Sequence, residues 1–258
     1  MSEKLTIDCL YINGDSWVYG SELVDPSRPD LQDHFHPIHE NYRKKYKWPT
    51  LIAEQIGAEL INNSEPGSGN DRILRTSIYD LAQLKMQGRR VMAIVAWSQL
   101  HRFEVSNQGG PSFRGFVNPN DPELPRGVRE FWGTWSSDYC DLVKWITQMI
   151  SFHSFCRAND IPVLGLSVFK KPYNLLERHI SSKEFKPYLT QLNEICDLPA
   201  QHYQFSLESI LKQYTGIDYG PGGHPLKKGH MILARNIENK LKQRFTINQP
   251  EAPNQLHS

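Results

Sequence analysis

Residues 91–96 read Val-Met-Ala-Ile-Val-Ala, and this unbroken apolar run constrains the fold more than any other stretch. A strand with one wet face alternates apolar and polar residues. A continuous run fits a strand covered on both faces, as in a parallel sheet between two layers of helices. Residues 161–168, Ile-Pro-Val-Leu-Gly-Leu-Ser-Val, read as another buried strand. Residues 5–12 read as a first strand, ending at Asn13-Gly14-Asp15-Ser16, and Leu60-Ile61 as a short second one. Helical periods separate them. Pro49 suits a first helical position and Gly57 a stop, with Leu51, Ile52 and Ile56 between. Leu74, Ile78 and Leu81 run on to Gly88, Leu142, Ile146 and Met149 share a face within 138–157, and Leu233, Ile237 and Leu241 align near the end. Strand and helix in alternation predict an α/β fold with a mostly parallel sheet.

Composition bounds the function. Twenty-nine Lys and Arg against 28 Asp and Glu leave a net charge of +1, without the basic excess that nucleic acid or an anionic membrane attracts. No apolar run approaches the roughly 20 residues of a membrane span. The opening MSEKLTIDCLYI lacks the pattern of a secretory signal, so the expectation is a soluble protein outside the ordinary export route. Cys9, Cys140, Cys156 and Cys196 lie far apart, with no CxxC or zinc spacing, and read as reduced, buried thiols. One domain is expected over residues 1–248, with a tail at 249–258 and a polar, irregular stretch at 21–47. Residues 101–135 lack any period and are expected to form a long irregular insertion, a feature often tied to function.

Ligands of an open parallel sheet bind outside the carboxyl ends of the strands. Three strand ends carry Gly14-Asp15-Ser16, Pro66-Gly67-Ser68-Gly69 and Ala96-Trp97-Ser98; a fourth segment, Gly222-Gly223-His224-Pro225, precedes the last helix. A hydroxyl on one turn, a histidine on another loop and backbone N–H groups between them are the parts of acyl transfer.

These segments resemble the SGNH (GDSL) hydrolases and esterases: IxGDSWVYG at the first strand, LINNSEPGSGNDR at the second and GGHPLKKGH before the last helix. The segments VAWSQLHRFE, SGNDRILRT and HPLKKGH are closer in style to SGNH-like proteins of tailed bacteriophages. The resemblance implies a flavodoxin-like three-layer fold, Ser16 as nucleophile, His224 as general base, and an oxyanion hole from the N–H groups of Ser16 and Gly67. Where the family has asparagine at the third strand's end this chain has Ser98, expected to serve as an oxyanion donor. Where the family has aspartate three residues before the histidine it has Pro221, which leaves Asp218 as the nearest acid. Asp15, Trp97, Trp132 and Trp135 are expected to line the substrate. The implied function is hydrolysis of a small ester, such as an O-acetyl group on carbohydrate, without cofactor or metal. The competing reading, drawn from the missing aspartate and asparagine, is a binding or structural module with contacts in a virion or to further copies of the chain. The expected location is correspondingly a host cytoplasm or a virion.

Other signals read more plainly. Ser16 also suits a helix cap. Gly67-Ser68-Gly69 begins a dinucleotide fingerprint, but Arg72 occupies its third glycine position. His34, His36 and His39 have a metal-like spacing without an acidic or cysteine complement, and read as a polar loop. Arg72 and Arg75 read as a solvated helix face. Phe103, Phe113, Phe116, Phe131, Trp132 and Trp135, with Arg102, Arg114 and Arg126, suit either a sugar ring or a flap fastened to the body.

Overall fold

Every residue of Val91–Trp97 is buried, because parallel strands flank it and helices cover both its faces. The computed structural model describes residues 4–28, 33, 36–102, 104–106, 113–115, 126–127, 130, 137–179, 182–196 and 205–247. In chain order the elements are β1 (Lys4–Leu5), β2 (Cys9–Asn13), α1 (Ser16–Tyr19), α2 (Glu40–Tyr46), α3 (Trp48–Ile56), β3 (Glu59–Asn62), α4 (Asn70–Met86) and β4 (Val91–Trp97). There follow β5 (Glu104–Ser106), β6 (Phe113–Gly115), α5 (Asp138–Ala158), β7 (Val163–Ser167), α6 (Lys171–His179), α7 (Lys186–Cys196), α8 (Leu207–Leu211), α9 (Lys227–Arg244) and β8 (Thr246–Ile247).

The main sheet is parallel with order β3-β2-β4-β7. The chain steps from β2 to one neighbour and then crosses to the other, so the switch of direction lies between β2 and β4. That crevice, at the carboxyl ends, is where such sheets bind ligands. Successive side chains of a strand point to opposite faces, and the core divides accordingly. Cys9, Tyr11, Ala93, Val95 and Trp97 meet Ile73, Leu81, Trp145 and Phe152 of α4 and α5. Leu10, Ile12, Ile94 and Leu166 meet Trp48, Ile52, Leu233 and Ile237 of α3 and α9. Each fully buried side chain of this kind contributes about 1.5–3 kcal/mol. The α/β architecture agrees with the sequence.

Four details differ from it. The strand expected over residues 5–12 is two: β1 pairs with β8 apart from the main sheet, and β2 starts only at Cys9. Between them Asp8 turns its carboxylate to Arg89 and Arg90 ahead of β4, at 3.1 and 3.2 Å. The polar stretch 21–47 contains α2, which buries Arg43 beneath the Tyr19 ring and pairs it with Glu40. Helices α6 and α7 carry no counterpart in the sequence reading. Cys9 and Cys156 are free and buried, with thiols pushed up by burial to about 11 and about 12, but Cys140 is exposed. No helix among the described residues is long and apolar enough to cross a membrane.

Two core histidines set an acid limit. His153 on α5 is 2% exposed, and burial, with the charge of Arg244, depresses it to about 4. His230 on α9 is fully buried, accepts the Trp48 N–H at Nδ1, and falls to about 3 through burial and the charges of Lys47 and His224. An unfolded histidine titrates near 6.5, so between that pH and about 4 the unfolded chain binds more protons. Stability from these groups is therefore complete above about pH 6.5 and lost as pH falls. The urea midpoint is expected to drop between pH 7 and pH 4.5, and to drop less in His153→Gln. Parallel pH profiles for the two proteins would refute this.

Candidate active site

The turn after β2 is built from below by Asn13. Its Oδ1 accepts the Gly14 N–H at 2.8 Å, and its Nδ2 donates to Thr76 and Ser77 of α4 at 2.8 and 2.9 Å. Asp15 caps α1, with Oδ1 accepting the Trp17 N–H at 3.0 Å. Its Oδ2 accepts from Ser98 Oγ at 2.7 Å and from Arg102 at 3.1 Å, and Arg102 also donates to Ser98 Oγ at 2.9 Å. Asp15 and Ser98 are fully buried and Arg102 nearly so. This charge pair binds the β2 end to the β4 end.

Ser16 follows directly, 6% exposed. Its hydroxyl and its backbone N–H make no hydrogen bond among the described residues, whereas its carbonyl accepts from Gly20 and Ser21 at 3.1 and 3.0 Å. That fold-back carries the chain to Glu22.

The loop after β3 is held by Arg72. It donates to the Asn63 carbonyl and Oδ1 at 3.0 and 3.1 Å and to Ser68 Oγ at 3.3 Å, and pairs with Glu65 at 2.7 Å. The Glu65 N–H reaches the Gly14 carbonyl at 3.2 Å, tying this loop to the serine turn. Gly67 has φ +78°, a left-handed conformation suited to glycine, and space around it where a Cβ would stand. Its N–H has no partner among the described residues. Asn70 closes the cluster by accepting the Ser98 N–H at 2.7 Å.

His224 sits in the turn between Tyr219 and Pro225, which bridge to each other. Its Nδ1 lies 2.7 Å from Glu22 Oε2, and Glu22 also accepts the N–H groups of Gly222 and His224 at 2.7 and 3.1 Å. Burial pushes the Glu22 carboxyl up, but these hydrogen bonds outweigh it and hold the group below the usual carboxylate range. An ionised carboxylate only accepts, so Nδ1 carries the hydrogen and Nε2 is left as the basic nitrogen.

Several expectations change. Asp218 is exposed and makes no hydrogen bond to His224; the carboxylate there is Glu22, which belongs to the serine's own segment. Ser98 commits its hydroxyl to Asp15 and its N–H to Asn70, which leaves no donor for an oxyanion. Asp15 and Trp97 are fully buried and present no surface. Arg102 belongs to the buried pair rather than to a sugar surface; Arg72 braces the Gly67 loop, and Arg75 pairs with Glu104. His36 and His39 each accept a backbone N–H, and no metal-binding group is found among the described residues. Trp132, Trp135, Phe103, Phe116, Phe131 and His34 lie outside the described residues, as do Phe113 and Arg114 beyond their backbone. No direct hydrogen bond joins Ser16 to His224. Such contacts are often long without substrate.

Removing one partner of a buried ion pair strands the other. Arg102→Ala is expected to cost about 3–5 kcal/mol in urea unfolding. Asp15→Asn with Arg102→Met, which removes both charges while keeping the Trp17 cap, is expected to recover over half of that. A loss below about 1 kcal/mol in Arg102→Ala would show that solvent already screens the pair.

The fold is similar to those of several solved structures. The psychrotrophic esterase EstA from Pseudoalteromonas sp. is 16% identical, with 92% of this chain and 98% of that chain covered and a TM-score of 0.46. A family two carbohydrate esterase from Clostridium thermocellum, solved with cellohexaose, is 16% identical over 95% of this chain and 66% of that chain, at 0.47. A G-D-S-L family protein from Desulfitobacterium hafniense is 11% identical over 90% and 98%, at 0.41. No curated protein sequence matches. A model described as a family of unknown function, DUF6071, matches residues 28–254, a span that begins after Glu22 and takes in His224. The chain belongs to that family.

Proposed function

We propose that the protein is a serine esterase that cleaves a small ester through an acyl-enzyme. The observation that carries this reading is the state of His224: a buried carboxylate occupies Nδ1, so Nε2 is free to act as a base. Ser16, at the switch of the sheet, has a hydroxyl engaged by no other described residue. In the proposed reaction Ser16 Oγ attacks the ester carbonyl while its proton passes to His224 Nε2. The N–H groups of Ser16 and Gly67, both without partners among the described residues, receive the oxyanion. The protonated imidazole then gives its proton to the departing alkoxide, and water repeats the sequence to free the acid.

The proposed substrate class is an O-acetyl group on a carbohydrate. Support comes from the aromatic and arginine content of residues 101–135, which follow β4 in the sequence. Sugar rings have apolar faces and polar rims, and such residues suit them. The binding-module reading drew on the missing aspartate and asparagine; Glu22 supplies a carboxylate to the same imidazole and removes the first argument, whereas the inward-facing Ser98 leaves the second standing.

A fluorophosphonate probe is expected to label Ser16, and Ser16→Ala to abolish labelling. The same variant should lower p-nitrophenyl acetate hydrolysis at least about a thousandfold. Its melting temperature should stay within a few degrees. Hydrolysis at the wild-type rate in Ser16→Ala would leave Ser16 as a turn residue and end the proposal. For the sugar, Trp132→Ala or Trp135→Ala is expected to weaken binding of an acetylated oligosaccharide by about 1–2 kcal/mol in calorimetry, with folding preserved. Unchanged affinity in both would remove the carbohydrate from the proposal and leave the esterase standing.

A further inference from the structure

Glu22 combines features that a surface glutamate does not need. It is 3% exposed, and its φ of +67° lies in the left-handed region, which costs any residue with a Cβ energy. Strain of this kind persists only where the surroundings over-determine it, and it gathers at functional sites. Here the surroundings are three hydrogen bonds, all directed at the histidine's turn: the N–H groups of Gly222 and His224 and the Nδ1 of the imidazole.

The glycine-rich sequence of that turn is explained by the same carboxylate. A Cβ on Gly220 would stand 2.6 Å from the Glu22 carboxyl carbon and 2.8 Å from its Cβ. On Gly222 a Cβ would lie 3.2 Å from Oε1. Gly220 must therefore be bare for Glu22 to enter, and a side chain at Gly222 would crowd the carboxylate. Pro221, between them, offers neither a carboxylate nor an N–H.

We infer that Glu22 is the positioning residue of the site: it holds His224 in the Nε2-basic tautomer and stabilises the imidazolium formed during turnover. This inference rests on the esterase reading and adds the residue through which the histidine acts. The acid has changed loops. It stands six residues after the nucleophile, on the serine's segment, instead of before the histidine. One short stretch thus carries both the attacking group and the orienter of its base.

Other charged groups lie close enough to matter. Asp218, Lys227, Lys228 and Tyr42 line a cavity of about 400 Å³ on the flank of Glu22. The charges of Lys47 and His224 both act on the buried His230 of α9. None of them hydrogen-bonds the imidazole, whereas Glu22 does.

The test uses the whole protein, with steady-state hydrolysis of p-nitrophenyl acetate across pH and 15N NMR of the His224 ring. In the wild type, Nδ1 is expected to be protonated and Nε2 unprotonated above the imidazole's titration. Glu22→Gln is expected to lower kcat by about 10²–10⁴-fold, the scale of a lost orienting carboxylate, with KM changed less than threefold. The acid limb of its kcat/KM profile should move to lower pH, because the carboxylate that favours the imidazolium is gone. A residue that merely propped the loop would leave that limb in place. Asp218→Asn should stay within about threefold of wild type. Overturning results are an Nε2-protonated ring in the wild type, an unmoved acid limb in Glu22→Gln, or a large loss in Asp218→Asn. If Glu22→Gln does not fold, the wild-type ring assignment and the Asp218→Asn rate decide. Wild-type turnover in Ser16→Ala would instead strike the esterase reading, whatever the ring shows.

Discussion

The Asp15 carboxylate is the constraint on which the site is assembled. One oxygen ends the serine turn by accepting the Trp17 N–H; the other receives Ser98 and Arg102 from the end of the neighbouring strand. A carboxylate with no exposure is tolerable only with such partners. Because they come from two strand ends, satisfying the charge also fixes the distance between those ends. Asn13, Asn70 and Arg72 extend the principle by spending side chains on loop backbone, so three loops meet as one rigid floor.

The architecture was legible where local chemistry decides it. The run at 91–96 told of two covered faces, and Gly57 and Gly88, both left-handed, marked the ends of α3 and α4. The motif spacing singled out the turn that carries Ser16 and the turn that carries His224, whose catalytic roles belong to the proposed reading. What escaped were long-range polar commitments. Arg102 and Ser98 looked like groups facing a substrate, because nothing in sequence says that a charge 87 and 83 positions away will claim them. Arg72 looked solvated for the same reason. Helix α2 was missed because its buried residue is an arginine, and a buried arginine leaves no apolar period.

Glu22 is the sharpest case. Its local sequence, Ser-Glu-Leu-Val-Asp-Pro, reads as an ordinary polar exit from a helix, and its partner lies 202 positions on. The nearest thing to a signal was in the other segment. Tyr-Gly-Pro-Gly-Gly-His has more glycine than a single turn demands, and the Glu22 carboxyl occupies the space a side chain at Gly220 would need and crowds that at Gly222. A glycine excess beside a motif histidine therefore carries information about a neighbour, not only about backbone freedom.

The two places where the sequence departs from the SGNH pattern it resembles have different surroundings. Where that pattern has aspartate before the histidine, a carboxylate from another loop reaches the imidazole here. Where it has asparagine, no side-chain donor stands in. Ser98 stands at its position but faces inward, into the Asp15–Arg102 pair, and supports the floor instead of the oxyanion. On the proposed reading the hole then rests on backbone N–H groups from Ser16 and Gly67. Losing one donor typically lowers turnover by about 10²–10³. Backbone donors held by Arg72 and the Glu65–Gly14 contact are already in place and need little reorganisation when charge develops. On that reading, backbone donors in a stiff frame serve where the SGNH pattern uses a side-chain donor.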